Sequence, residues 1–231
     1  MHVRDRDGLP TMDLTYVRDA IVAVRESSDL IIQLSTGGAL TDDEGSRIAV
    51  LAAMPDAASL TCGSVNFGDE IFCNRWPFIV DLYRSMYEHS IVPEFEIFDL
   101  GHLDTLKRLL DQEGPPYGGR VHVDFVLGVP GGMSATAASL ASAVQQLPLG
   151  ATFSATGIGR GTLPVIFASL ALGGHLRVGM EDTVSFARGV RVDSNAQLVR
   201  RAAQLSQLAQ RPPLSPHESR AFLGLTTSAR D

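Results

Sequence analysis

The sequence predicts an α/β fold on a parallel sheet, closed as a barrel rather than left open. Three observations carry this. Apolar strand-like runs alternate with amphipathic helical stretches along the chain, and strand then helix, repeated, means a parallel sheet. Strand starts near residues 30, 57, 93, 121, 151 and 175 recur at roughly 30 residues, the size of one strand–helix unit. Polar or Gly-rich loops follow almost every strand. A β/α barrel builds its site from the loops at the carboxyl ends of its strands, whereas an open doubly wound sheet gathers ligands mainly at one switch point. Loops of this kind after so many strands favour the barrel, with the open sheet as the alternative.

The elements follow in order. Residues 30–34 (LIIQL) are a buried-strand candidate, followed by the loop STGGALTDD. A helix begins near Asp42 and runs through IAVLAAM. Residues 57–61 (AASLT) form the next strand, and CGSVNFGDEIFCN reads as a long loop. Residues 78–89 read as a helix, 93–98 (PEFEIF) as a strand and 101–110 as a helix. Residues 121–127 (VHVDFVL) are a strand ending in GVPGG, and 134–145 a small-residue helix. Residues 151–155 are a strand followed by TGIGRG, 163–172 a helix, and 175–178 (HLRV) a last strand. Residues 195–208 are an amphipathic helix stopped by RPPLSP, and HESRAFLGL supplies a final turn or two. A barrel of this type needs eight strands. Six are clear, and residues 1–5, where His2 and Arg4 alternate with Val3, are a seventh candidate. The expectation is a (β/α)8 TIM-type barrel, N-terminally incomplete, with its first strand–helix unit missing. It is one domain over residues 1–231, with a helical tail over 190–225.

Composition narrows the function. Of 231 residues, 45% are hydrophobic, enough for a sizeable core, which excludes wholesale disorder. Nineteen basic against 26 acidic residues give a net charge of -7, which argues against a general nucleic-acid surface and leaves room for a small basic pocket for one phosphorylated or CoA-bearing ligand. Two cysteines, Cys62 and Cys73, do not make a disulfide framework and read as reduced thiols of a cytoplasmic protein. No apolar run reaches the ~18 residues of a membrane span, and MHVRDRDGLP lacks the apolar stretch of a signal peptide.

Several residues have types and spacings that carry chemistry. In HLRVGMED, strand alternation points His175 and Arg177 to one side, so Arg177 enters the interior and needs a partner there. Glu181 beside Asp182 at a strand end offers a metal ligand and a base side by side. His2 and Arg4 share a face at the start of the chain. LSTGG places the Ser35 and Thr36 hydroxyls and the pliant backbone of Gly37 and Gly38 at another strand end, suited to an oxyanion or carboxylate. Ser59 and Thr61 share one face, as do Glu94 and Glu96, and two acids on an interior face are costly unless a site employs them. GVPGG and GIGRG are Gly-rich loops before helices, and Arg160 adds a cation there for a phosphate. His89, His102, His122 and His217 lack ligand spacing and read as packing or surface residues.

HVRDRDG…PT, LSTGG, SLTCGSVNFG, PEFEIFDLGHL, FVLGVPGG, GIGRG and GGHLRVGMED, in that order, resemble the β-keto acid cleavage enzyme family, of the 3-keto-5-aminohexanoate cleavage type, over about residues 1 to 225. The resemblance implies a zinc-dependent barrel that condenses a β-keto acid with acetyl-CoA and releases acetoacetate and a new acyl-CoA. It implies zinc ligation by His2, matching the second histidine of an HxHxRD motif, and by Glu181. It makes Arg177 the holder of the substrate carboxylate, Asp182 the general base and Ser35 the hydroxyl beside it. Ser59, with Thr61 as fallback, becomes the hydroxyl near the reacting carbonyl, and Glu96, ahead of Glu94, the site for a substrate amine. A homo-oligomer is also implied. The chain departs from the pattern twice: the motif's first histidine is absent before Met1-His2, and Gly161 stands where members often carry histidine. The alternatives are a catalytically impaired or non-catalytic truncated member, and an unrelated barrel aldolase or phosphate-sugar enzyme.

Overall fold

Six strands hydrogen-bond side by side in a computed structural model that describes residues 1–225. They are β1 (Gln33–Leu34), β2 (Ala57–Thr61), β5 (Val92–Ile97), β6 (His122–Leu127), β7 (Thr152–Gly157) and β8 (His175–Leu176), paired in that order and parallel throughout. Between them run α2 (Glu44–Ala49), α3 (Trp76–Glu88), α4 (Leu100–Glu113), α5 (Ala137–Val144) and α6 (Thr162–Ala171). The parallel α/β expectation holds, and the strand over 57–61 is reproduced to the residue.

Alternation divides the sheet into two chemistries. Outward-facing Leu60, Phe95, Ile97, Val123, Phe125 and Leu127 are essentially buried under the helices and form the main core with Phe78, Leu82, Leu103 and Leu140. The opposite face is polar. One register row runs Thr61, Glu96, Asp124, Ser154, His175 across five strands. Burying such a row is costly unless its members bond one another. The sheet curls around it. β1 and β8 are the unpaired ends of the order, yet His2, whose neighbour Met1 accepts a hydrogen bond from the Ser35 amide at 3.0 Å, meets Glu181 of the loop after β8 at 3.4 Å.

Five elements differ from expectation. Residues 1–5 are not a strand: a single bridge joins Arg4 to Pro10, and the Asp5 carboxylate accepts from the amides of Asp7 and Leu9, closing a turn. The strand over 30–34 contracts to Gln33–Leu34, because Ile32 turns its amide to the Asp56 carboxylate at 2.9 Å. The long loop after β2 holds a hairpin, β3 (Val65–Phe67) and β4 (Glu70–Phe72), with Gly68 at φ 67° in its turn. A helix for which no element was expected, α1 (Leu14–Ser27), is capped by Asp13 and buries Val17 and Ile21 against Ile32, Leu34 and Val50. A second unforeseen hairpin, β9 (Ser185–Ala187) and β10 (Val190–Arg191), precedes α7 (Asn195–Leu208) and α8 (Pro216–Leu223). Among the described residues no helix is long and apolar enough to cross a membrane.

Candidate active site

The carboxyl ends of the strands surround a cavity of about 290 Å³, with an adjoining one of about 180 Å³. His2, Ser35, Glu96, Arg177 and Glu181 line both. Gly37, Gly38 and Asp182 line the larger, and Ser59 the smaller. Residues drawn from opposite ends of the sequence thus share one space.

Arg177 stands at its centre, continuing β8 through a 3.5 Å bond from its amide to the Ala155 carbonyl. One guanidinium nitrogen reaches Glu96 Oε1 at 3.1 Å and Asp124 Oδ2 at 3.5 Å, and the other reaches Asp182 Oδ1 at 3.3 Å. Three of its five N–H groups are so engaged, which leaves donors for an incoming carboxylate. The carboxylates around it raise its pKa despite burial. Its partners are held in turn. Thr61 donates to Glu96 Oε2 at 2.7 Å, and Ser154 and Thr156 donate to the two oxygens of Asp124 at 2.7 Å each.

Asp182 has one oxygen on Arg177, while its Oδ2 is buried without a hydrogen-bond partner among the described residues. Burial pushes its carboxyl up to about 6, with Glu181 and Asp124 adding to the rise and Arg177 opposing it. An acid so perturbed in a cavity is a candidate for proton transfer. Its neighbour goes the other way: the hydrogen bond with His2 leads in holding Glu181 down to about 2.

The hydroxyls sit on the facing wall. Ser35 Oγ accepts from the Gly37 amide at 3.2 Å and Ser59 Oγ from the Thr36 amide at 3.2 Å. Each keeps its own hydrogen for a ligand. Thr36 is buried and turns its hydroxyl to the Ser59 carbonyl at 2.7 Å, so it serves the wall from behind. The far side of the larger cavity is apolar, formed by Phe67, Phe72, Phe98, Val126, Val129 and Ile158.

Of the residues singled out in the sequence, Arg160 stays apart: it is exposed in the turn Gly159–Gly161 and lines neither cavity. Asp124 and the phenylalanine wall were not foreseen. Asp124 had a readable signal, an acid on the same alternate face of an apolar strand as His122 and Val126. The wall had none, since it depends on a hairpin folding back over the strand ends.

The donor types at His2 and Glu181, imidazole and carboxylate, suit zinc. Their number falls short: among the described residues no group of three or more His, Cys, Asp or Glu side chains is placed to hold a metal ion, and an open zinc site takes three protein ligands.

The profile of a family described as beta-keto acid cleavage enzyme matches residues 1–225. The chain is 37% identical over 233 residues to a 3-keto-5-aminohexanoate cleavage enzyme of Acetoanaerobium sticklandii, spanning 98% of this chain and 83% of that one. It is 34% identical over 236 residues to a 3-oxoadipate:acetyl-CoA acetyltransferase of Cupriavidus necator, spanning 100% and 82%. The fold is similar to that of the apo structure of ObcA, with a TM-score of 0.82 at 18% identity, over 93% of this chain and 55% of that one, so the chain spans about half the length of that structure.

Proposed function

The chain belongs to the beta-keto acid cleavage enzyme family, and from that premise we propose that it condenses a β-keto acid with acetyl-CoA and releases acetoacetate and a new acyl-CoA. The observation that carries the assignment to this cavity is the pairing of Arg177 with Asp182, whose second oxygen is buried and unpartnered.

Arg177 takes the carboxylate of the keto acid on its remaining N–H groups. That sets the methylene carbon between carboxylate and ketone against Asp182, which removes a proton through Oδ2. Ser35 and Ser59 donate to the oxygen on which the enolate charge collects, as oxyanion donors do. The enolate carbon attacks the acetyl-CoA thioester and expels the CoA thiolate. The thiolate then adds to the original ketone, the bond between that carbonyl and the former methylene carbon breaks, the carbanion so released takes back the proton held by Asp182, and acetoacetate departs from the new acyl-CoA. Glu96, Gly37 and Gly38 line the substrate space. Thr36 supports it from behind, and Arg160 is assigned a phosphate of CoA at the rim. Glu96 is the acceptor for a substrate amine.

Zinc, which the family resemblance implies, would be held by His2 and Glu181, one side-chain ligand short of an open zinc site among the described residues. When bound it supplies polarisation of the keto oxygen. With two side-chain donors in place, no step above is routed through it. The same reading takes the six-stranded sheet as part of a (β/α)8-type barrel, in a cytoplasmic homo-oligomer. A catalytically impaired member is the second reading, favoured by the shortage of a third ligand.

One experiment separates the two. Purified protein is incubated with acetyl-CoA and either 3-oxoadipate or 3-keto-5-aminohexanoate, and acetoacetate and zinc are measured. Acetoacetate release with near-stoichiometric zinc, lost in Glu181→Ala, is expected. Neither zinc nor acetoacetate in the wild-type protein overturns the catalytic reading and leaves the impaired one.

A further inference from the structure

We infer that Arg47 is the positioning residue of the hydroxyl wall, setting Ser35 and Ser59 in place through Thr36. What the wall does rests on the function proposed above; how it is held rests on the contacts alone.

Arg47 lies in α2, and only 3% of it is exposed. Among the described residues it forms no ion pair with a carboxylate. A buried guanidinium without a counter-ion is costly, and an apolar side chain of similar size is often as good for stability or better. What the residue obtains instead is hydrogen bonding to segments that build the cavity. Its Nε donates to the Thr36 carbonyl at 2.7 Å. Its two terminal nitrogens donate to the Cys73 carbonyl at 3.0 Å and to Asn74 Oδ1 at 2.6 Å. The guanidinium lies 4.9 Å from the Phe72 ring centre and 4.4 Å from that of Phe78, which fixes its plane.

Each contact leads to the site. Thr36 is bonded to Ser59 twice, amide to Oγ and hydroxyl to carbonyl, and it is the residue next to Ser35. Asn74 donates onward to the Gly63 carbonyl at 3.2 Å, just past β2. Phe72 lines the apolar side of the cavity. One planar fork therefore joins the loop after β1, the end of β2 and the exit of the first hairpin. Three separately aimed N–H groups in one plane are what lysine, a point charge on a flexible stem, does not reproduce. Arg47 touches none of the reacting atoms, so its effect passes through Thr36 to the two serines.

The test compares wild-type protein with Arg47→Lys, which keeps the charge, and Arg47→Met, which keeps bulk without charge. Thermal unfolding establishes that each variant is folded. Both are expected to lose kcat by about ten- to a hundredfold, the usual effect of displacing reacting groups by about an ångström, while KM for acetyl-CoA stays within about twofold. Amide hydrogen exchange is read in parallel and does not depend on activity. The amides of Thr36, Gly37 and Asn74 are expected to exchange at least about tenfold faster in Arg47→Lys, with those of β6 and β7 unchanged. Full kcat in Arg47→Lys overturns the inference. So does exchange that is unaltered at the three amides or faster throughout the molecule, the mark of a merely stabilising residue. If the wild-type protein releases no acetoacetate, the proposed function fails and the exchange pattern alone decides for or against Arg47.

Discussion

Glu94 and Glu96 stand two residues apart on β5 and share its inward face, yet they belong to different regions. Glu96, at the carboxyl end, meets Arg177 and lines the cavity. Glu94, nearer the amino end, accepts from the Gln33 side chain and faces His122 Nε2 at 3.7 Å. Around it His122, bonded to Thr152 at 2.8 Å, and His175 pack their rings against Phe222 of α8. Asp56, paired with Arg220 at 3.1 Å, anchors that helix beside the amino ends of the strands. Burial leads in pushing Glu94 up to about 8 and His122 down to about 4, which favours the uncharged form of each. The closed end packs its polar groups against α8 and pairs them there. The open end keeps charges facing a cavity and leaves one buried carboxylate oxygen unbonded. Polarity on the inner face is therefore no sign of function by itself; an unsatisfied atom beside an open space is.

The contrast breaks hardest at Asp182. Asp182→Asn removes the base and keeps the shape, so kcat is expected to fall about a thousandfold, near 4 kcal/mol of barrier, with no loss of thermal stability. Steady-state release of acetoacetate and a melting curve check both halves. A kcat within about tenfold of wild type would assign proton removal elsewhere. Ser59→Ala comes next, at about a hundredfold in kcat for one lost oxyanion donor. It also leaves the Thr36 amide without its acceptor, so a modest loss of stability accompanies it.

Much of this was legible in the sequence, for reasons particular residues show. β2 and α7 come out as expected at every residue because each is bounded by its own signals: a short run opened by Pro55-Asp56 and closed before Gly63, and a helix starting at the Ser194 cap and stopped before Pro212. Arg177, Asp182 and Glu181 were readable because three charges beside one strand end contradict a plain core. Residues 1–5 misled because His2, Val3 and Arg4 alternate as a strand does, while the Asp5 side chain closes a turn that alternation does not register. The first hairpin and α1 were missed for want of contrast: short exposed strands, and a helix that buries two residues fully. Arg47 and Asp124 were invisible as partners, since their roles exist only through contacts 11 to 53 residues away in sequence.

At the closed end the expected effects are on stability, not rate. Phe222→Ala removes the ring that His122, His175 and Arg120 pack against. The site is only partly buried, so about 2 kcal/mol of unfolding free energy is expected to go, below the range for fully buried phenylalanine. Urea unfolding measures this, with kcat expected within about twofold of wild type. A large loss of kcat at full stability would show that the two ends communicate.

Glu94→Gln gives the sharpest test, because its effect appears only as a dependence on pH. The folded pKa of Glu94 lies near 8 against an unfolded value near 4.5. Between these the folded state holds a proton that the unfolded state has released, so the contribution of Glu94 falls as pH rises from about 4.5 to about 8 and is level beyond. His122 runs the opposite way. Its folded pKa is lowered from 6.5 to about 4, so the contribution of His122 falls as pH drops from about 6.5 to about 4. The two slopes oppose each other below about 6.5, and above it that of Glu94 is unopposed. Gln keeps the oxygen that accepts from Gln33 and cannot ionise, so the variant should match wild type near pH 5 and become steadily the more stable of the two toward pH 8. Chemical unfolding across that range reads the gap directly. A gap that stays constant means that Glu94 is ionised in the folded protein at neutral pH; the closed end would then carry a buried charge as the open end does, and the distinction between them would rest on the cavity alone.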